Sequence, residues 1–331
     1  MNKIKIKTKM LPFSNWWPLL VGAIAGVAMR LLFWQGPGDP YSAMMGSFVY
    51  LVPLFVGVVT VYIAETQQRR TWIYYIWAPF LANVFFVIGT LLILVEGWIC
   101  AIVVLPLLAI LGSFGGVLMG IVCRTTNWPK QTLYSFAVLP LVFGGLEASV
   151  PLPERLSRIE RTVIIHATPS EVWQQIHSAH DIKPEEVNLA WAYRIGVPMP
   201  LAGVTQQTPT GLVRKITMGK GIHFEQVVAE WQENKYVRWT YRFDEDSFPT
   251  GALDDHVKIG GLYFDFNDTS YTLTPRGGGT ELTLRMQYRI STQFNWYADT
   301  VARLLLGNVE EVLLNFYRQR SETIRRVEKT S

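Results

Sequence analysis

Three groups of residues have the types and spacing that chemistry could use. Asp254-Asp255-His256 sets carboxylates beside an imidazole, a pairing able to move a proton or hold a cation. The same run also reads as a solvated turn. His177 and His180, with Asp181 adjacent, stand three apart. On a helix that spacing turns both rings to one side, where they could seat a divalent metal; a histidine near a helix C-terminus is equally what the helix dipole favours. Trp239, Tyr241 and Phe243 alternate along one stretch, and Met286 and Tyr288 along another. On strands each set shares a face, and it could line an apolar pocket with phenolic tips or simply fill a core. No nucleophile elbow, phosphate loop or His-Glu-x-x-His sequence is present, and no cofactor is expected.

Each group needs an element to hold it. After a charged linker, residues 162–166 read as a short β-branched strand. Thr168-Pro169-Ser170-Glu171 is a helix start: Thr168 caps, Pro169 suits the first turn and Glu171 completes a capping box. Val172, Trp173 and Ile176 give that short helix one apolar face, and a second helical piece is expected over about 184–193. Residues 195–203, with Pro198, Pro200 and Gly203, are apolar yet turn-rich, a lip for a pocket, a segment resting on the bilayer or a rigid connector.

Strands are expected over 212–218, 222–231, 236–243, 262–274 and 280–290, with a long loop over 244–261 and a Gly277-Gly278-Gly279 turn. The last alternates Leu282, Leu284, Met286, Tyr288 and Ile290 against Glu281, Thr283, Arg285, Gln287 and Arg289. A helix over about 295–326 follows; Trp296, Val301, Leu304, Leu305, Val309, Val312, Leu313 and Phe316 form its apolar stripe, and Gly307 is where it would bend or divide. A curved antiparallel sheet with one apolar face needs a cover, and this helix supplies one.

Residues 159 to about 326, half the chain, resemble the SRPBCC superfamily (START-related, polyketide-cyclase-like). The resemblance is carried by Arg161-Thr-Val-Ile-Ile-His-Ala-Thr-Pro-Ser-Glu-Val-Trp173, by Phe224-Glu-Gln-Val-Val-Ala-Glu230 and by Ser270-Tyr-Thr-Leu-Thr274. It implies an α+β helix-grip fold with a space between sheet and long helix. It implies no single function, because the superfamily includes lipid carriers, cyclases, hydrolase-like members and stress-response modules, and it transfers no catalytic residue.

The first half is built differently. Of 331 residues half are hydrophobic, and the formal charge is +4. Nine Lys/Arg face four Asp/Glu before Pro151, leaving 21 against 22 after it, so the basic excess belongs to the first half. The near-neutral second half offers no footprint for nucleic acid. Cys100 and Cys123 both lie in the first half, which excludes a disulfide framework or a cysteine zinc site in the second.

Five apolar segments, 16–34, 43–64, 72–95, 98–122 and 132–150, predict an all-α transmembrane bundle over residues 1–150. A linker over 151–161 and the helix-grip domain over 162–331 follow. Trp16, Trp17, Trp34, Trp72 and Trp98 sit at segment ends, where indoles favour the lipid–water boundary. Lys3, Lys5, Lys7 and Lys9 resemble a signal-peptide n-region, but the long apolar stretch reads as an uncleaved span.

The basic tail, the Arg69-Arg70 loop and the Arg124 and Lys130 loop are assigned to the cytoplasm of a plasma (inner) membrane. Five spans then leave the second domain outside; a fifth segment that only dips into the bilayer would leave it cytoplasmic. Gly22, Gly26, Gly112, Gly116 and Gly120 recur at helical spacing, which suits close packing within the bundle. Arg30, Glu96 and Glu147 are ionisable residues near segment ends, candidates for a transport path or for mutual pairing.

Three functions compete. The first is a membrane-anchored binding module for a hydrophobic or lipid-like small molecule, with the bilayer as its partner. The second is a cyclase- or dehydratase-type enzyme, which requires an ionisable group, His256 or an aspartate, pointing into the pocket. The third is a scaffold for an unidentified protein, with the interior filled by side chains.

Overall fold

A computed structural model describes residues 16–126, 130–209 and 211–330; the lysine tail before Trp16 lies outside the described residues. The chain divides into two compact units, Met1–Gly97 with Ala101–Pro151, and Trp98–Cys100 with Leu152–Ser331.

The first unit is helical: α1 (Trp17–Leu32), α2 (Ser47–Gln67, its first turn a π turn), α3 (Trp72–Leu92), α4 (Trp98–Thr125) and α5 (Lys130–Glu147). Among the described residues three helices, α2, α3 and α4, are long and apolar enough to cross a membrane. This corrects the expectation of five spans. With 16 residues, α1 reaches only about 24 Å at 1.5 Å per residue, short of the roughly 30 Å hydrocarbon core, and the apolar run of α5, Thr132–Glu147, is equally short. The sequence pattern ran past both ends because apolar residues continue after α1 stops at Phe33 and after α5 stops at Glu147.

Arg30, Glu65, Glu96 and Glu147 of this unit have structural partners. Arg30 donates to the Phe33 carbonyl at 2.7 Å and pairs with Glu96 at 3.2 Å. Glu147 accepts from the Gly46 and Ser47 amides at 2.6 and 2.7 Å, neutralising the exposed donors at the start of α2. Glu65, buried, takes the Tyr75 hydroxyl and the Arg70 amide, both at 2.7 Å. The expected close packing through small residues is present: a Cβ on Gly57 of α2 would strike the backbone of Gly112 and Gly116 on α4.

The second unit is one antiparallel sheet curled into a half-barrel, with spatial order β1-β8-β7-β6-β5-β4-β3-β2. The strands are β1 (Glu154–Ile165), β2 (Ser178–Ala179), β3 (Pro200–Thr208), β4 (Gly211–Met218), β5 (His223–Gln232), β6 (Tyr236–Arg242), β7 (Phe264–Arg276) and β8 (Gly279–Ser291). Helices α6 (Pro169–His177), α7 (Pro184–Val187) and α8 (Trp191–Arg194) lie between β1 and β3, and α9 (Asn295–Thr330) ends the chain. The capping box forms as expected: Thr168 Oγ1 accepts from the Glu171 amide, and Glu171 reaches back to the Thr168 amide.

Helix α9 packs on β1, β8 and α6, closing the concave side. Its sheet-facing stripe, Gly307, Glu310, Leu314, Tyr317 and Ser321, is buried. The main core joins Ile165, Trp173, Ile176, Trp239, Leu282, Leu284, Met286, Leu314 and Phe316. A second cluster gathers Ile222, Phe224 and Ala252 with Tyr241, Phe243 and Phe248.

Four expectations are corrected. The segment 151–161 is not a linker: β1 starts at Glu154 and pairs with β8 from Glu154↔Ser291 to Ile165↔Thr280. Glu154, Arg158 and Glu160 face outward, while Ser157, Ile159, Val163 and Ile165 share the α9-facing side with Arg155 and Arg161, so charges stand on both faces and obscure the alternation. The helical piece over 184–193 divides into α7 and α8. Residues 200–203 begin β3 instead of a loop. Gly307 does not break α9; its missing Cβ leaves room for the Arg161 guanidinium, 3.2 Å from where that atom would stand.

Candidate functional site

A row of polar side chains crosses the concave face under α9. Backbone register sets Arg214 of β4 beside Thr205 of β3 and Gln226 of β5, and Gln226 beside Tyr241 of β6. Arg214 is 5% exposed. Its Nη1 donates to Gln226 Oε1 at 3.2 Å and its Nη2 to the Tyr317 hydroxyl of α9 at 3.1 Å. The Tyr271 and Tyr317 hydroxyls stand 3.5 Å apart, and that of Tyr241 lies 2.5 Å from Thr269 Oγ1. Gly203 makes room for this group: a Cβ there would lie 2.8 Å from Arg214 Nη2. Burial pushes the Tyr193, Tyr241 and Tyr271 phenols upward, so they stay neutral beside the guanidinium.

His177 closes one end of the row. Its Nδ1 is 3.1 Å from Thr205 Oγ1, and its ring lies 4.4 Å from Trp173 and 4.5 Å from Trp231, centroid to centroid. Burial, with the Arg214 charge adding, pushes it down to about 3, so it is neutral at physiological pH. Along α9, Glu310 lies two turns before Tyr317, about 10 Å at the helical rise. It is fully buried, no side chain hydrogen-bonds either carboxylate oxygen, and burial pushes it up to about 8 against the pull of Arg161 and of the Met286 backbone amide. Arg214 Nε, His177 Nε2, Trp239 Nε1 and Ser321 Oγ are likewise buried and unpartnered.

Of the residues expected to line a pocket, all but Tyr288 fall in two clusters of the second unit. Trp239 and Met286 belong to the main core. Tyr241 and Phe243 stack at 6.2 Å within the second cluster, on Phe224 and Phe266. Tyr288 is fully buried, but its hydroxyl is committed to Asp299 Oδ1 at 2.9 Å.

His177 and His180 do not come together. Helix α6 ends at His177 and Ser178–Ala179 is extended, so the helical spacing that would align the rings is not realised. His180 is exposed, 2.9 Å from Ser178 Oγ, while His177 points inward.

Asp254 and His256 do pair, with Oδ1 to Nδ1 at 3.1 Å, and Asp255 is exposed. Burial raises Asp254, but the hydrogen bond and charge of His256 outweigh it and hold the carboxyl at about 2. Within the same unit the Cys100 thiol joins them, the three ligand atoms lying within 4.8 Å of one another.

Arg214, Gln226, Tyr271, Tyr317 and Glu310 were not singled out from sequence, although a signal existed for two of them. Leu212, Arg214, Ile216 and Met218 share one face of β4, so Arg214 is a lone charge on an apolar face. Glu310 is likewise a lone acid in the buried stripe of α9.

A curled antiparallel sheet closed by one long C-terminal helix is the helix-grip arrangement. No protein-family model matches the chain, and no curated protein does. Solved structures are similar at low identity. The di-domain ARO/CYC StfQ from the steffimycin biosynthetic pathway is 12% identical, over 59% of this chain and 60% of that one, with a TM-score of 0.35. Protein XoxI from Bacillus cereus is 11% identical over 51% of this chain and 98% of its own, with a TM-score of 0.30. A protein from Thermus thermophilus is 18% identical over 52% and 99%, with a TM-score of 0.32.

Proposed function

We propose that this chain is a membrane-anchored binding module that takes up a hydrophobic or lipid-like small molecule between its curled sheet and α9. One observation carries the reading: the buried, unpartnered polar atoms of His177, Arg214, Trp239, Glu310 and Ser321 gathered under one helix. A core filled by its own side chains keeps few such atoms, because each costs about 1–3 kcal/mol. An amphipathic guest would give them partners and lay its apolar body along Trp239 and Met286. The test is titration of the delipidated full chain, in uncharged detergent, with a fluorescent fatty-acyl probe. Saturable binding at one site per chain is expected; a folded protein showing no saturable binding contradicts the reading.

A cyclase- or dehydratase-type activity is the second reading, favoured by Glu310. A buried carboxyl pushed up to about 8 is protonated at neutral pH and suited to general-acid work. The ionisable group that this reading requires is then Glu310, not His256. Glu310→Gln would keep probe binding and lose any turnover of the bound molecule; unchanged turnover would remove this reading.

Three helices long and apolar enough to cross a bilayer fit a membrane anchor. We place the C-terminal domain on the side of the basic Arg69-Arg70 and Arg124 loops, the cytoplasm, because α3 leaves from and α4 returns to that side and α5 is too short to carry the chain back across. An impermeant maleimide should label Asp255→Cys, an exposed position, only after lysis. Labelling on whole cells would put the domain outside.

A further inference from the structure

The hydrogen-bond partners of Arg214 are neutral: the Gln226 amide and the Tyr317 hydroxyl. The titratable groups around it are Tyr271 and Tyr241 from the sheet, Tyr317 from α9 and His177 from α6. Burial raises the Tyr241 and Tyr271 phenols and lowers His177, so these three bring no negative charge. Among the described residues no carboxylate lies within ion-pair distance of the guanidinium, although the other charged pairs of this unit form bridges readily, as Arg320 does with Glu186 at 2.8 Å. A guanidinium does not lose its proton, and its burial without a counter-charge is strongly unfavourable. Its five N–H donors face the Gln226 amide and the Tyr317 and Tyr271 hydroxyls, and Nε has no partner. Nε, with a neighbouring Nη, is the fork that receives two oxygens of one oxyanion.

We infer that Arg214 is the receptor for an anionic head group, a carboxylate or a phosphate, on the amphipathic molecule held between sheet and helix. The inference rests on the binding reading above and narrows it to acidic amphiphiles. Gly203 lets the guanidinium lie against the β3 backbone, and the Tyr241, Tyr271 and Tyr317 hydroxyls can donate to the same anion. Trp239, fully buried in the adjoining core, marks where the apolar chain would run.

The test compares three probes of one chain length, hexadecanoate, hexadecyl phosphate and hexadecanol, on the full chain in maltoside micelles, with affinities corrected for micelle partition. Because a hydrogen-bonded buried charge is strongly discriminating, at least one anion should bind about tenfold or more tighter than the alcohol. Arg214→Met should shrink that ratio to about twofold or less while the alcohol binds as before, and Arg214→Lys should restore part of it. Whichever anion leads identifies the head group. Equal binding of all three probes to the wild-type chain overturns the inference and leaves the binding reading standing. Failure of all three to bind removes both. The wild-type comparison decides even if Arg214→Met does not fold.

Discussion

Two buried carboxylates on α9, eleven residues apart, are treated in opposite ways. Asp299 is saturated: Oδ1 takes the Tyr288 hydroxyl at 2.9 Å, and Oδ2 takes Arg303 Nε at 3.0 Å and Arg155 Nε at 3.1 Å. Arg303 passes the network on to Ser157 Oγ at 3.1 Å, which ties the first turns of α9 to β1. Burial lifts the Asp299 carboxyl, but its hydrogen bonds from Ser157, Arg303 and Tyr288 win and hold it below the ordinary range. Glu310 is as buried but has no side-chain hydrogen bond, and burial outweighs the pull of Arg161 and the Met286 amide to decide its protonation. A polar group that organises the fold is satisfied by the fold; one that is left over points to something the fold receives.

The contrast can be broken from the Asp299 side first. Asp299→Ala strands Tyr288 and two arginines, and should lower the unfolding free energy of the full chain by about 3 kcal/mol in denaturant titration. Glu310→Leu should act in the opposite direction. Removing a carboxyl that has no side-chain partner leaves stability unchanged or raises it by about 1–2 kcal/mol, read as a higher melting temperature. A fall comparable to that of Asp299→Ala would mean that Glu310 is a structural residue.

The pH dependence of stability reads the same contrast more finely. Glu310 is raised in the folded state, from 4.5 to about 8, so between those values the folded chain holds a proton that the unfolded chain has lost, and stability falls as pH rises. His177 is lowered, from 6.5 to about 3, so between those values the unfolded chain holds the extra proton, and stability rises with pH. The two slopes oppose each other between 4.5 and 6.5. From these two groups a plateau is expected there, with a decline from 6.5 to about 8 that Glu310→Gln abolishes. A decline that survives the substitution assigns it to another group.

The smallest effect is local and sets the scale. Thr168→Ala removes one arm of the α6 capping box and should cost about 1 kcal/mol in the same melts, with no change in fatty-acyl probe binding.

The elements were more legible in the sequence than the site. Strict alternation exposed β8, and the Thr-Pro-Ser-Glu run exposed the start of α6, because both signals are local. Strand β1 was hidden because Arg155 and Arg161 interrupt the inward face of Ser157, Ile159, Val163 and Ile165 while Leu156 and Ile164 stand exposed on the outward one. The lengths of α1 and α5 were overread because an apolar run does not mark where a helix stops.

The shared faces of the aromatic residues on β6 and β8 were readable from period two along their strands. Arg214 was readable only as a lone charge on the apolar face of β4; what sets it apart is the absence of an acid near it, and its neighbours come from β3, β5, β7 and α9, which the chain brings together only on folding. The His177–His180 spacing misled for the reverse reason: it assumed a helix one turn longer than the one that forms.

The central claim, that the concave face under α9 receives a small molecule, is tested most directly by native mass spectrometry of the full chain released from gently extracted membranes. The account predicts a mass above that of the polypeptide by one acidic amphiphile, lost or exchanged in Arg214→Met. Bare polypeptide mass in every preparation, with hexadecanoate and hexadecanol both failing to add, would contradict it.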